Sequence, residues 1–186
     1  MARAGSIVRP EVDRRERAIV RDAQRGSAVA FEQLFRRHWP RAYRAALLVV
    51  GDAAAAEDIA QESFLAAVRA LDRFDRRRPF GPWLHRIVVN RAIDWSRARS
   101  LRSELAADHA PEPQAPERDV PEHAHGLAAG LAGLAPEHRA VIVLRYLLDY
   151  TPGEIAELLD VPRGTVNSRL RRGLDRLESS LREELS

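Results

Sequence analysis

Residues 76–102, RRRPFGPWLHRIVVNRAIDWSRARSLR, place a triple arginine, an aromatic-proline turn and an amphipathic pattern in one segment. Because proline suits the first turn of a helix, the pattern predicts a helix that starts near Pro82. The residues of its apolar face are Leu84, Val88 and Trp95. The residues of its polar face are Trp83, Arg86, Asn90, Asp94 and Arg97. The segment therefore predicts a helix with a core side and an exposed side that includes an indole.

The polar face differs from an ordinary solvated helix surface, which carries charges of alternating sign. An indole beside an amide and guanidinium groups can stack on an unpaired base and hydrogen-bond to its edge. Arginines at positions 73, 76, 77 and 78 precede the helix and are suited to holding a phosphate backbone. Two plainer interpretations stay open at this point: a three-helix core with Trp83 half-buried, and a solvated arginine-rich turn.

The composition is that of a globular, helical protein. Of 186 residues, 45% are hydrophobic and 31% are charged, and aromatic residues are few beside Ala, Leu, Arg and Glu, which favours an all-α fold. The absence of cysteine excludes disulfides, thiolate metal sites and a cysteine nucleophile. No apolar run reaches the roughly 20 residues that span a bilayer, and the N-terminus is charged. We expect a soluble, cytoplasmic protein without membrane insertion.

Charge is distributed in blocks along the chain. Residues 1–102 carry a net charge of +9, residues 103–135 carry −5 and residues 136–186 carry −1, within a total of +3. Such blocks favour separate modules with different partners. We expect an N-terminal helical domain over 1–102, a linker over 103–126 and a C-terminal domain over 127–186.

The N-terminal module divides into helices at its turn and capping residues. Residues 11–24 predict a charged helix whose weak apolar stripe leans on the body that follows. Gly26 and Ser27 indicate a stop and an N-cap, followed by a helical region that is kinked or broken at Pro40 and ends at Gly51. The next helix is predicted over 53–71.

The helix over 53–71 has a predicted core side and an acidic side. Its residues at core spacing are Ile59, Phe64, Leu65, Val68 and Leu71. Its other face presents Asp58, Gln61 and Glu62. Acids near a helix N-terminus are favourable to the helix dipole, but this does not explain Gln61 and Glu62 two turns in. An acidic face on a basic module is a candidate protein-docking surface.

The segment SELAADHAPEPQAPERDVPEHAH, residues 103–125, has four prolines among acids and no sustained apolar period. It predicts a flexible acidic linker that is suited to lie over the basic face of residues 73–99 when no nucleic acid is bound. His109, His123 and His125 are possible metal ligands, but without a scaffold to orient them we predict no metal site. No cofactor is predicted either.

The C-terminal module has the layout of a helix-turn-helix. A helix over 137–148 precedes Thr151, an N-cap, and Pro152, a first-turn residue; helices over 153–159 and 163–181 follow. The residues predicted to interlock the last two helices are Ile155, Ala156, Leu159, Val161, Val166 and Leu170. Asp160 stands in the turn where glycine is usual, and aspartate tolerates a left-handed backbone.

The last helix carries the basic charge of this module. Residues 163–176 hold five arginines and one acid. The candidate DNA-binding residues on it are Arg163, Thr165, Asn167, Ser168, Arg171, Arg172 and Arg176. A helix with this charge is suited to the major groove of DNA, and a purely structural three-helix unit is the alternative.

With these motifs in order, the chain resembles the sigma-70 family of bacterial RNA polymerase factors, in its small extracytoplasmic-function (ECF) group. The segment AEDIAQESFLAAVRAL (56–71) resembles the family's polymerase-binding helix. The segment FGPWLHRIVVNRAIDWSR (80–97) resembles its minus-ten-reading helix. The segment LAPEHRAVIVLRYLLDYTPGEIAELLDVPRGTVNSRLRRGLDRL (134–177) resembles its minus-thirty-five domain. The resemblance extends from Ala30 to Leu181.

The resemblance implies a role for each of these surfaces. Asp58, Gln61 and Glu62 would dock on the clamp helices of the largest polymerase subunit. Asn90 would help hold a flipped base of the minus-ten element, in a pocket formed by the loop over 72–82. The residues expected to contact this element are Arg76, Arg77, Phe80, Trp83, Arg86, Asn90 and Arg97. The seven candidates of the last helix would contact the minus-thirty-five element.

Two residues depart from the family's pattern. Asn167 stands where Lys or Arg is common, which leaves the preference for a particular base open. Gly173 lies inside the last helix and is expected to loosen its C-terminal half.

The implied function is promoter recognition and melting together with core RNA polymerase, without catalysis by this chain. The expected partners are core polymerase, promoter DNA and an anti-sigma factor. One alternative is a stand-alone helix-turn-helix regulator with an N-terminal sensor or interaction domain; another is a protein-interaction module that makes no DNA contact.

Overall fold

The computed structural model describes residues 10–105 and 130–184, and every regular element within these ranges is helical. The helices of the first body are α1 (Pro10–Gln24), α2 (Ala28–Val50), α3 (Ala53–Ala70) and α4 (Phe80–Leu105), with a 3₁₀ turn at Leu71–Arg73. The helices of the second body are α5 (Pro136–Ile142), which continues as a π-helical turn at Val143–Leu147, α6 (Pro152–Leu159) and α7 (Arg163–Glu184). The predicted all-α class with two small helical bodies is confirmed. Of the predicted linker over 103–126, the first three residues continue α4, and the part from residue 106 on, with its histidines, lies outside the described residues.

Local capping signals set the helix starts and ends of the first body. The Ser27 side chain accepts a hydrogen bond from Ala30 N (3.2 Å) at the start of α2, and Gly51, with φ of 71°, closes the helix by donating to the Leu47 carbonyl (2.8 Å). Asp52 then caps α3 by accepting from Ala55 N (2.9 Å). Each cap satisfies a backbone group that the helix end leaves without a partner.

Of the two alternatives expected at Pro40, a kink or a break, the break does not occur, because α2 runs from Ala28 to Val50 with Pro40 inside it. Proline removes the hydrogen bond to the carbonyl four residues earlier, which here belongs to Arg36. Both Pro40 and Arg36 are exposed, so that carbonyl lies on the solvent side of the helix and water can satisfy it.

Helices α2, α3 and α4 pack around a shared core in which α3 makes contact largely through small residues. Ala56, Ala60 and Ala67 are fully buried. The prediction that Leu65 and Val68 belong to the core is wrong, because their side chains are 54% and 41% exposed. These two apolar side chains instead extend the outer face of α3.

The second body is a helix-turn-helix, as predicted. Thr151 caps α6 in a capping box, since its hydroxyl accepts from Glu154 N (3.3 Å) and the Glu154 carboxylate accepts from Thr151 N (2.7 Å). Asp160 has φ of 54°, the left-handed backbone expected of it at the turn. Ile155 and Val166 are fully buried where α6 meets α7.

Helix α7 continues through Gly173 to Glu184, so the glycine does not end the helix, and the expected loosening of its C-terminal half stays a prediction. Gly173 is buried where α5 crosses α7. A β-carbon there would lie 2.9 Å from Ile142 Cδ1 and 3.3 Å from His138 Cβ. The glycine therefore permits the close approach of two helices.

We expect Gly173→Val to destabilise the protein by about 1–3 kcal/mol, because the added atoms overpack a buried helix crossing. Gly164→Val is the matched control, since Gly164 lies in the same helix and a β-carbon there meets nothing within 4 Å. Urea unfolding of both variants measures the difference. Equal midpoints for the two variants would contradict the proposed role of Gly173.

The two bodies pack against each other through α2 and α4 on one side and α5 and α6 on the other. Most of their buried apolar side chains form one continuous cluster, and a smaller cluster of Leu131, Leu134, Ile142 and Leu177 lies within the second body. Arg97 donates to the Glu137 carboxylate (2.6 Å), and a 2.7 Å hydrogen bond joins His85 Nδ1 to the Tyr150 hydroxyl. The second body thus lies against the polar side of α4.

Candidate nucleic-acid interface

The start of α4 forms an aromatic platform around Trp83. The ring of Trp83 lies 4.6 Å from that of Phe74 and 5.5 Å from that of Phe80, measured between centroids. Phe74 and Phe80 are buried, whereas Trp83 is partly exposed. Phe80 was expected to contact DNA, but with 1% exposure it lies in the core, because α4 begins at Phe80 and turns this ring inward. Phe80 therefore supports the platform from beneath.

The polar side of α4 continues from this platform. Arg86 is exposed one turn after the platform, and Asn90 is partly exposed one turn further along. Within the described parts of the chain, the Asn90 side chain makes no hydrogen bond, so its donors and its acceptor are available to a ligand. Arg97, at the far end, is held by Glu137 of the second body. The helix thus brings together Trp83, Arg86 and Asn90, whereas Arg97 is paired with Glu137 of the second body.

The loop before α4 displays the arginines on a turn organised by Asp75. The Asp75 carboxylate accepts from both the backbone N–H (3.0 Å) and the side chain (3.1 Å) of Arg77. These hydrogen bonds lower the pKa of Asp75, so the carboxylate stays ionised. Arg76 and Arg78 are exposed on either side. The turn therefore directs several guanidinium groups to the surface next to the aromatic platform.

An open cavity of about 390 Å³ lies between the two bodies, directly over this face. From the first body it is lined by Arg78, Pro79, Pro82, Trp83 and Arg86. From the second body it is lined by Tyr150, Glu154, Glu157 and Leu158. The carboxylates of α6 thus face the arginines on the surface formed by the start of α4 and the loop before it. In this arrangement the second body covers part of that surface.

His85 and Tyr150 form the buried polar contact beneath the cavity. Burial, with the positive charges of His38 and Arg41, lowers the pKa of His85 to about 3. Burial, with the negative charge of Glu154, raises the pKa of Tyr150. Both groups are therefore uncharged near pH 7, so this hydrogen bond joins two neutral groups. The sequence does not predict this pair, because the two residues are 65 positions apart and share no motif.

The predicted DNA-binding residues of helix α7 fall into two groups by exposure. The exposed ones are Arg163, Asn167, Arg171, Arg172 and Arg176. Thr165 and Ser168 are partly covered, and the Ser168 hydroxyl donates to the Thr165 carbonyl (2.9 Å), which occupies its hydrogen. Burial and the charge of Arg169 lower the pKa of nearby His138, with smaller contributions from Arg172 and Arg176. The exposed arginines therefore make this helix the basic surface of the second body.

The chain is similar to known proteins over most of its length. The models of Sigma-70 region 2 and Sigma-70, region 4 match residues 34–102 and 130–179. The ECF RNA polymerase sigma factor SigW of Bacillus subtilis (strain 168) is 30% identical over 182 residues, covering 88% of this chain and 95% of SigW. RNA polymerase sigma factor CarQ of Myxococcus xanthus is 33% identical over 164 residues, covering 85% of this chain and 92% of CarQ.

A solved structure of CnrH in complex with the cytosolic domain of CnrY is also similar, with a TM-score of 0.68 and 31% sequence identity. The match covers 90% of this chain and 97% of that one. Full-length similarity to curated sigma factors, with both regions in order, decides the family. The chain belongs to the sigma-70 family. Its relatives place it among the ECF sigma factors, so the predicted resemblance is confirmed.

In this sigma factor, the outer face of α3 is a continuous exposed strip on region 2. Asp58, Gln61 and Glu62 are all exposed, and Leu65 and Val68 follow them on the same side. Gln61 donates to the Glu57 carboxylate (3.1 Å), and Glu62 pairs with Arg91 (2.7 Å). An apolar centre beside acids is typical of a protein-binding surface rather than of a solvated face. The prediction from the sequence placed Leu65 and Val68 in the core and so did not include them in this face.

Among the described residues of this sigma factor, no helix has both the length and the apolar character to cross a membrane. The same residues contain no group of three or more His, Asp or Glu side chains that could hold a metal ion.

Proposed function

We propose that this sigma factor binds core RNA polymerase through the outer face of α3 and then contacts a promoter at two places. The recognition helix α7 docks in the major groove at the minus-thirty-five element. The platform around Trp83, with Asn90 and the loop arginines, holds an unpaired base of the minus-ten element. The single observation that carries the proposal is the partly exposed Trp83 ring beside the free amide of Asn90, with the loop arginines next to it. An indole, an amide and cations in one place suit the capture of a base that has left its pair.

Capture of the base contributes to promoter opening because it offsets lost stacking. Flipping a base costs on the order of a few kcal/mol, and a pocket that binds it recovers part of that free energy. The chain acts by binding alone, and nucleotidyl transfer belongs to the polymerase. Its site of action is the cytoplasm, where core polymerase and DNA are found.

Polymerase binding has to separate the two bodies, because α6 and Tyr150 cover part of the base-reading face in the described arrangement. The contacts that must break include the apolar cluster shared by the two bodies, the Arg97–Glu137 ion pair and the His85–Tyr150 hydrogen bond. The ion pair is worth only about 0–1 kcal/mol, so most of the free energy that polymerase binding has to offset lies in the buried apolar contacts. The separated bodies then reach two promoter elements.

A protein inhibitor of the anti-sigma class is a further proposed partner. CnrH, which is 31% identical to this chain, is seen in complex with the cytosolic domain of CnrY. Binding of such a partner to either body would keep α3 or α7 from its target.

Promoter binding with and without core enzyme tests the proposal. Run-off transcription with bacterial core polymerase on a genomic library first identifies promoters used by this chain. We expect feeble binding of the purified chain to those promoters as duplexes, and specific binding and transcription once core enzyme is added. Tight binding of the chain alone to a palindromic duplex would instead support a stand-alone helix-turn-helix regulator.

Alanine substitutions at two neighbouring arginines of α7 test the upstream contact. If Arg171 reads a base, Arg171→Ala should lose roughly 1–3 kcal/mol of binding free energy at one position of the minus-thirty-five element, with relaxed preference there. Arg172→Ala should weaken binding to all sequences alike, as expected for a phosphate contact. Holoenzyme binding to a set of single-base promoter variants measures both. Uniform weakening by Arg171→Ala would contradict base reading by this residue.

A further inference from the structure

Helix α1 precedes the part of the chain that matches Sigma-70 region 2, which starts at residue 34, yet it is fastened to the loop that leads into α4. Gln24, its last residue, donates both hydrogens of its side-chain amide to this loop. One hydrogen bond reaches the carbonyl of Leu71 (2.8 Å), and the other reaches the carbonyl of Phe74 (3.0 Å). These carbonyls lie at the 3₁₀ turn, where helical hydrogen bonding ends.

Glu16, two turns earlier in α1, fastens the other end of the same loop. Its carboxylate accepts a hydrogen bond from His38 Nε2 (2.8 Å). Burial opposes the charge of Glu16, but hydrogen bonds from His38 and the backbone of Phe80 and the charges of His38 and Arg37 together lower its pKa. The carboxylate therefore stays ionised, and its partner His38 packs against the ring of Phe80, the first residue of α4.

Two lines of contact from α1 converge on the ring of Trp83. Gln24 holds the backbone of Phe74, whose ring lies 4.6 Å from Trp83. Glu16 holds His38 and the start of α4 at Phe80, and the Phe80 ring lies 5.2 Å from that of His38 and 5.5 Å from that of Trp83. Both supports of the platform are thus tied to one helix.

We propose that Gln24 and Glu16 are positioning residues for base capture: they fix the two ends of the loop over 71–80 and so hold Trp83 and the loop arginines in the geometry that receives the flipped base. This inference rests on the proposed function of the Trp83 platform. Neither residue contacts DNA; each acts through Phe74 or Phe80. Preorganisation of this kind matters because a pocket held in place loses less conformational entropy when it binds its ligand.

Gln24→Met tests the inference, since methionine keeps the length of the side chain and removes both donors. Gln33→Met is the matched control, because Gln33 is exposed on α2 and makes no hydrogen bond with any residue in the described ranges. The assay is holoenzyme binding to a single-stranded minus-ten oligonucleotide from an identified promoter, and to the same oligonucleotide with an abasic site at each position in turn. Core binding and thermal unfolding are measured in parallel.

In the wild type, one abasic position should weaken binding, and this position marks the captured base. We expect Gln24→Met to weaken binding of the intact oligonucleotide about 3- to 10-fold, the effect of losing one or two hydrogen bonds. The factor by which an abasic site at the captured position weakens binding, the abasic penalty, should shrink to the same extent. Binding to core enzyme should be unchanged. A role in general stability would not produce this dependence on one base.

Glu16→Gln serves as the second variant if Gln24→Met unfolds, and it should show the same selective loss. An unchanged abasic penalty in a folded variant, beside a clear penalty in the wild type, overturns the positioning role and leaves the proposed function standing. Absence of any abasic penalty in the wild type overturns both base capture and the inference built on it.

Discussion

A Leu65→Asp variant is expected to bind core RNA polymerase on the order of 100-fold more weakly than the wild-type chain, because it places a charge at the apolar centre of a docking surface. Leu65 lies between the acidic residues of α3 and Val68, and its side chain is 54% exposed in the free chain. A leucine in this position is accessible to a partner. Its replacement should change the free energy of unfolding of the isolated protein only slightly. The loss should therefore appear in binding and not in folding.

Leu101→Asp is the matched control for this variant. Leu101 is 58% exposed and also lies in a helix, so the substitution carries the same change in charge, in apolar area and in helix propensity. Surface substitutions of this kind usually change stability by no more than about 0.5 kcal/mol. Competition of each variant with labelled wild type for core enzyme measures the difference, and equal affinities for the two variants would exclude the α3 face as the docking surface.

The position of Leu65 also shows which features of the fold could not be predicted from the sequence. The helices were predictable because their boundaries carry local signals: Ser27, Asp52 and Thr151 each cap a helix through their own side chain. The inward face of α3 was predictable in part: Ile59 and Phe64 are buried as expected, whereas Leu65 points outward and alanines make many of the core contacts. Apolar periodicity gives greatest weight to the largest side chains, so it also assigned Leu65 and Val68 to the core.

The candidate site was predictable only where it depends on the pattern within one helix. The polar stripe of α4 follows from helical periodicity, and the structure leaves Trp83, Arg86 and Asn90 on it at least partly exposed. The inward turn of Phe80 depends on the residue at which α4 begins, and the prediction set that start two residues late. Contacts between distant segments, such as Gln24 with Phe74, carry no local signal and required the structure.

Replacing Asn90 by alanine is the second substitution with a large expected effect, on promoter opening. The Asn90 amide is partly exposed and makes no hydrogen bond with the described residues, so the alanine variant leaves no buried group without a partner in the free protein. If the amide hydrogen-bonds to the edge of the flipped base, its loss removes about 1–3 kcal/mol, which corresponds to a decrease in open complexes of about 5- to 150-fold. Permanganate reactivity of unpaired thymines, with core enzyme present, measures the open fraction.

Asp94→Ala is the control for Asn90→Ala, since Asp94 lies one turn further along the same face of α4 and is fully at the surface. Removing a negative charge near DNA should leave promoter opening unchanged or raise it. A template with an abasic site at the captured position should make wild type and Asn90→Ala equal, because the group that Asn90 recognises is then gone. If Asn90→Ala opens the intact promoter as well as the wild type does, base capture by this helix is excluded, and the basic stripe of α4 would serve only to hold the phosphate backbone.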